Sequence, residues 1–127
     1  MYYGLPMKKV LVVDEIELVG KLVAYHLGKV GCDVESCRSP FGILQKVKDF
    51  KPDIVLLDMK MQGLRGRSVA SLLREGEHGF KCKTIIFQPD EKHLQKQMVD
   101  EGLADGYFVK SHSFEGLKDT MERVFKA

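Results

Sequence analysis

The sequence predicts a doubly wound α/β domain, a single parallel five-stranded sheet with helices on both faces. Three observations carry that reading. Short β-branched runs alternate with longer stretches of helical spacing, five of each, along one chain of 127 residues. Such alternation specifies parallel strands joined by crossover helices. The central run, Ile54-Val55-Leu56-Leu57, is apolar at every position, as in a strand covered on both faces. No internal repeat, linker or low-complexity tract interrupts the pattern, and the length suits one domain with a core of its own.

Each element has its local reason. Lys8–Val13 reads as the first strand and ends in Asp14-Glu15. Ile16–Val30 places Ile16, Val19, Leu22, Val23, Leu27 and Val30 at helical spacing, with Gly31 in the C-terminal cap position. Asp33–Cys37 is a shorter, weaker strand. Ser39-Pro40 supplies a cap residue followed by proline at the first helical position, so a second helix is expected to begin there. It would carry Phe41, Ile43, Leu44 and Val47 towards Phe50.

The central strand follows Pro52 and gives way to a loop containing Gly63 and Gly66. A third helix with Val69, Leu72 and Leu73 on one face runs to about Glu75, where Gly76 and Gly79 break it. Lys83–Phe87 is the fourth strand, and Pro89-Asp90 opens a helix carrying Leu94 and Met98 to Gly102. Gly106–Val109 is the fifth strand and ends in Lys110. Ser113 caps a last helix whose inner face carries Phe114, Leu117, Met121 and Val124. Residues 1–7 read as a natural extension or an expression remnant before a domain that fills the rest of the chain, with no effector domain expected.

Composition excludes several functions. Hydrophobic content of 44% and charged content of 30% fit a soluble globular chain and argue against disorder. A formal charge of +2 without a basic stripe offers nucleic acid no footprint. Cys32, Cys37 and Cys82 are odd in number and lack metal-ligand spacing, so buried, reduced thiols in a cytoplasmic protein are expected. No apolar run reaches membrane-spanning length, and no signal-peptide pattern is present. No glycine stands between the first strand and its helix, which removes a dinucleotide fingerprint. His26, His78, His93 and His112 pair with no nucleophile.

Parallel strands bring Asp14-Glu15, Asp58, Gln88 and Lys110 to one edge of the sheet, where open α/β sheets bind ligands. Strand order 2-1-3-4-5, the flavodoxin-like arrangement, makes the first and third strands neighbours there. Alone, Asp58 reads equally well as a turn residue, and Asp14 and Glu15 as acids favoured by a helix start. Together with Lys110 they describe more. Three crowded acids require a neutralising cation, and a small hard ion that accepts carboxylates, keeps waters and binds phosphate is Mg²⁺. Lys110 adds a compact positive charge. The set suits a carboxylate that accepts a phosphoryl group.

Val-Leu-Val-Val-Asp-Glu (residues 10–15), Pro-Asp-Ile-Val-Leu-Leu-Asp (52–58) and Gly-Tyr-Phe-Val-Lys (106–110), in this order and at these separations, resemble the receiver domain of bacterial response regulators. The resemblance runs from Lys8 to the last helix. It implies a cytoplasmic two-component signalling domain, not an enzyme, with Asp58 as phospho-acceptor for a histidine kinase, a phosphotransfer protein or a small phosphodonor. It further implies Mg²⁺ held by Asp14, Glu15, Asp58 and the backbone carbonyl of Lys60, and Lys110 on the phosphoryl group. Tyr107 matches the switch aromatic of the family. An unidentified downstream protein would read the switch, with the domain a monomer or weak dimer that touches neither nucleic acid nor membrane.

The departures are specific. Gln88 stands where the family usually has Thr or Ser, so the relay to Tyr107 would run through a longer amide side chain. Gln62 and Ser111 replace two family prolines. The Lys-Pro bond is typically cis there, and a cis Lys110-Ser111 bond would cost about 3 kcal/mol. Lys60 and Asp90 flank the expected site mouth with opposite charge. They are expected to pair across the phosphate and hinder an attacking water. Two other readings remain in view. One is a pseudo-receiver that docks partners without phosphate, favoured by Gln88, Gln62 and Ser111. The other is an aspartyl-phosphate hydrolase, disfavoured because Lys60 occupies the place of its general-acid Asp.

Overall fold

The computed structural model describes residues 8–61, 66–75, 82–88, 92–109, 114 and 116–126, and for Glu75, Gln88 and residues 92–95 the backbone only. The chain alternates strictly: β1 (Lys9–Val13), α1 (Glu17–Gly28), β2 (Asp33–Cys37), α2 (Ile43–Phe50), β3 (Ile54–Leu57), α3 (Gly66–Glu75), β4 (Lys83–Gln88), α4 (Lys92–Asp100), β5 (Gly106–Val109) and α5 (Leu117–Lys126). The strands form one parallel sheet in the order β2-β1-β3-β4-β5. This is the predicted flavodoxin-like fold.

The period-two pleat divides the core. Val10, Val12, Ile54, Leu56, Ile85 and Phe87 face Val23 and Leu27 of α1 and Leu117, Met121 and Val124 of α5. Leu11, Val13, Val55, Leu57 and Ile86 face Ile43 and Val47 of α2, Ala70 and Leu73 of α3, and Met98 of α4. Every residue of β3 is therefore buried, as its unbroken apolar run predicts. Edge strand β2 is only partly covered, which suits its polar sequence.

Two helix starts differ from expectation. Ser39 and Pro40 do not open α2. The Ser39 hydroxyl accepts the Phe41 N–H at 3.2 Å, and Gly42 turns through φ +81° before the helix begins at Ile43. A left-handed residue is incompatible with helix, so the cap-like dipeptide closes a turn instead. Phe41, expected on the apolar side of the helix, is 84% exposed. Ile16 likewise lies before α1 and is 55% exposed. Val30 lies past the end of α1, since the helix stops at Gly28 with Lys29 in its C-cap place rather than Gly31. Phe114 precedes α5 yet is buried, stacked with Phe87 and Phe108. The three cysteines are unbridged, as expected, but half-buried. The expected Ser113 cap and the glycine breaks at 76 and 79 lie outside the described residues.

Candidate functional site

The strand register assembles the site. Val13 pairs with Leu57, so Asp14 and Asp58 leave adjacent strands side by side at the carboxyl edge. Backbone bonds continue the ladder past the strands: the Asp58 N–H donates to the Val13 carbonyl at 3.0 Å, and the Asp14 N–H to the Cys37 carbonyl at 3.2 Å. Leu57 pairs with Ile86 and Gln88 with Val109, which brings the ends of β4 and β5 to the same edge. Neighbouring parallel strands lie about 4.8 Å apart, so the acids share one small volume.

Both carboxylates make the same local bond. Asp14 Oδ1 accepts the Ile16 N–H at 2.9 Å, and Asp58 Oδ1 accepts the Lys60 N–H at 2.9 Å. Each thus closes an Asx-type turn out of its strand. The turn reading of Asp58 is correct as far as it goes, and Asp14, read as an acid at a helix start, closes the same kind of turn before α1. It does not explain their burial: Asp14 is 2% and Asp58 5% exposed, whereas Asp is rarely buried so fully without a paired charge or a metal.

Glu15 is exposed, and among the described residues no three His, Cys, Asp or Glu side chains gather into a metal-binding group. The structure therefore brings together two of the three expected acids. Two buried, hard oxygen donors at neighbouring strand ends still fit Mg²⁺, which takes few carboxylates and completes its octahedron with carbonyls and waters. Lys60 is exposed beside them, and Tyr107 is half-buried in β5 against the α2/α3/α4 cluster. Lys110, Asp90, Gln62, Ser111 and the Gln88 side chain lie outside the described residues, as does the Lys110-Ser111 bond.

Sequence reading missed a second set of contacts. Met61, 2% exposed, belongs to the buried cluster that holds Ala70 and Leu73 of α3, Met98 and Ala104. Asp105 Oδ2 accepts the Thr84 N–H at 2.8 Å while its Oδ1 lies 3.1 Å from Arg74 Nη1. Partners so distant in sequence leave no local pattern to find. Thr84 and Asp105 lie at the starts of β4 and β5, the amino edge opposite the acids, and there too Asp53 Oδ2 accepts the Lys9 N–H at 2.7 Å and fixes the start of β1.

Cys32 and Cys82 precede β2 and β4, at the edge of the sheet away from the acids. Burial, with the Asp105 carboxylate nearby, pushes the Cys82 thiol up to about 11, and burial likewise raises Cys32. A thiol so raised is inert at neutral pH.

Comparison with known proteins places this geometry. The family profile described as "Response regulator receiver domain" matches residues 10–122. The alkaline phosphatase synthesis transcriptional regulatory protein PhoP of Bacillus subtilis is 32% identical over 106 residues, covering 84% of this chain but only 43% of PhoP. Protein PilG of Pseudomonas aeruginosa is 32% identical over 110 residues, covering 86% of this chain and 81% of PilG. Among solved structures, the response regulator protein TrrA of Thermotoga maritima in complex with Mg²⁺-BeF superposes with a TM-score of 0.78 at 27% identity, over 93% of this chain and 99% of TrrA. TrrA in complex with the histidine kinase ThkA gives a TM-score of 0.78 at 26% identity, over 93% of this chain and 98% of TrrA. No helix among the described residues is long and apolar enough to cross a membrane.

Proposed function

That the chain belongs to the response regulator receiver domain family is the premise from which we propose its function: a two-component signalling domain, switched by phosphorylation of Asp58. The observation that carries this reading is the pair of buried carboxylates, Asp14 and Asp58, set side by side at the carboxyl edge by the β1–β3 register. TrrA, bound to Mg²⁺-BeF in one structure and to a histidine kinase in another, supports the same chemistry here.

In this reading a carboxylate oxygen of Asp58 attacks phosphorus. The new O–P bond forms as the donor's P–N or P–O bond breaks, and the electron pair leaves with the donor histidine or small phosphodonor. Asp14, Asp58 and the Lys60 carbonyl, with Glu15 at the rim, are the residues that would hold Mg²⁺. When bound, that ion neutralises charge on the transferring oxygens. Lys110, directly after β5, supplies a second positive charge. The hydrogen bond from the Lys60 N–H orients the Asp58 carboxylate. Lys60 and Asp90 pair across the solvent side and slow attack by water. Gln88 and Tyr107 relay the change to a downstream protein. The domain works in the cytoplasm as a monomer or weak dimer, without contact to nucleic acid or membrane.

Intact-mass analysis after incubation with acetyl phosphate and Mg²⁺, beside Asp58→Asn, tests the proposal. One phosphoryl adduct on the wild type alone is expected. No adduct would overturn it in favour of a phosphate-independent docking module, the reading that Gln88, in place of a hydroxyl residue, supports.

A further inference from the structure

We propose that Arg67 and Arg74 of α3 clasp the turn between α4 and β5, so that a change at the Asp58 carboxylate is carried through α3 to β5; the proposal rests on the acceptor reading of Asp58. The contacts are directional. Arg67 Nη1 lies 2.6 Å from Glu101 Oε2, and Gln97 holds the other oxygen of Glu101 at 2.9 Å. Arg74 donates from Nε to the Gly102 carbonyl at 3.0 Å and from Nη1 to Asp105 Oδ1 at 3.1 Å. Asp105 in turn exchanges two bonds with Thr84 of β4, accepting its N–H and donating to its carbonyl, both at 2.8 Å. The arginines of α3 thus grip the last turn of α4, its exit at Gly102 and the residue that opens β5.

The other end of the linkage is the acceptor itself. A group bonded to Asp58 competes with the Lys60 N–H for the carboxylate. Any shift of residues 59–61 is felt by Met61, which is buried in the core cluster it shares with Ala70 and Leu73 of α3 and Met98 of α4. A close-packed cluster repacks as a unit rather than yielding locally. Movement of α3 then draws on Gly102 and Asp105 through Arg74, and on β5 through Asp105. Tyr107 sits two residues further along. Nothing in this route passes through Gln88.

The test is the response of backbone amide NMR signals to beryllofluoride with Mg²⁺. In the wild type, signals from Asp58 to Met61 and from Leu103 to Tyr107 are expected to move together. In Arg74→Ala the first set should still move, while the second loses about half its response or more. Arg74→Lys, which keeps the charge but not the two-point grip, should fall between them. Lys96→Ala, which breaks an ion pair internal to α4, should match the wild type. A full response at Leu103–Tyr107 in Arg74→Ala overturns the clasp. So does a wild type in which Asp58–Met61 move and Leu103–Tyr107 do not. A wild type with no movement at Asp58–Met61 overturns the acceptor reading and the clasp with it.

Discussion

Gly106 offers a direct measure of how tightly β5 is held. A Cβ at this position would lie 2.9 Å from Val124 Cγ2 and 3.8 Å from Ile85 Cγ1. Carbon atoms prefer roughly 3.5–4.0 Å, so Gly106→Ala drives a methyl about 0.6–1 Å too close to Val124. Valine has little rotamer freedom, and Val124 is buried on the inner face of α5. Either α5 lifts or β5 retreats. Overpacking of this kind costs about 1–3 kcal/mol, and the lower backbone entropy of Ala in a strand returns about 0.5–1 kcal/mol. A net loss of about 1–2 kcal/mol is expected, read as a lower urea midpoint at unchanged slope. Val124→Ala alone should also destabilise, by leaving a cavity. In the double variant the new methyl occupies the vacated space, so the two losses should fall short of additivity by about 1 kcal/mol. A neutral Gly106→Ala, or strict additivity, would refute the close approach. The contact matters to the site because β5 carries Tyr107 and leads into Lys110.

Three further outcomes are expected. Phe41→Ala should change stability by less than about 0.5 kcal/mol, because the ring is 84% exposed, whereas Ile43→Ala should cost about 2–4 kcal/mol; equal losses in urea titrations would restore Phe41 to the core. Lys60→Ala should speed loss of phosphate from Asp58, followed by intact mass over time, and an unchanged rate removes Lys60 as a shield. Cys82, with its thiol raised from 9.0 to about 11, should be alkylated at pH 8 about a hundredfold more slowly than in the unfolded chain. Its folded form holds the proton that the unfolded form releases, so the stability advantage of wild type over Cys82→Ala should hold below pH 9 and shrink between pH 9 and 11.

The legible parts of this chain share a physical cause. Strands β1 and β3 could be read because burial on both faces demands unbroken apolar runs, and Asp14 and Asp58 because each ends such a run with a charge. The start of α2 was misread because Ser39-Pro40 satisfies the local chemistry of a helix cap and of a turn equally well. Only the left-handed Gly42 decides between them. The α3 clasp was invisible for a different reason. Arg67 and Glu101 are 34 residues apart and Arg74 and Asp105 31, so only the fold reveals their pairing, and an arginine ending a helix has a sufficient local explanation in the dipole.

The twin Asx turns sharpen the case for chemistry at the sheet edge. An asparagine carbonyl would accept the Ile16 or Lys60 N–H as an aspartate does, closing the same turn without a charge. Two carboxylates stand on neighbouring strand ends instead, each almost wholly buried. A turn alone gives no reason for a carboxylate there, and replacing Asp14 by Asn should leave the backbone of the β1–α1 connection intact. What Asn cannot supply is an anionic oxygen for a cation or, at position 58, a nucleophile for phosphorus. The turns themselves do not need the charge at these two positions, which is what a cation or a phosphoryl acceptor would use.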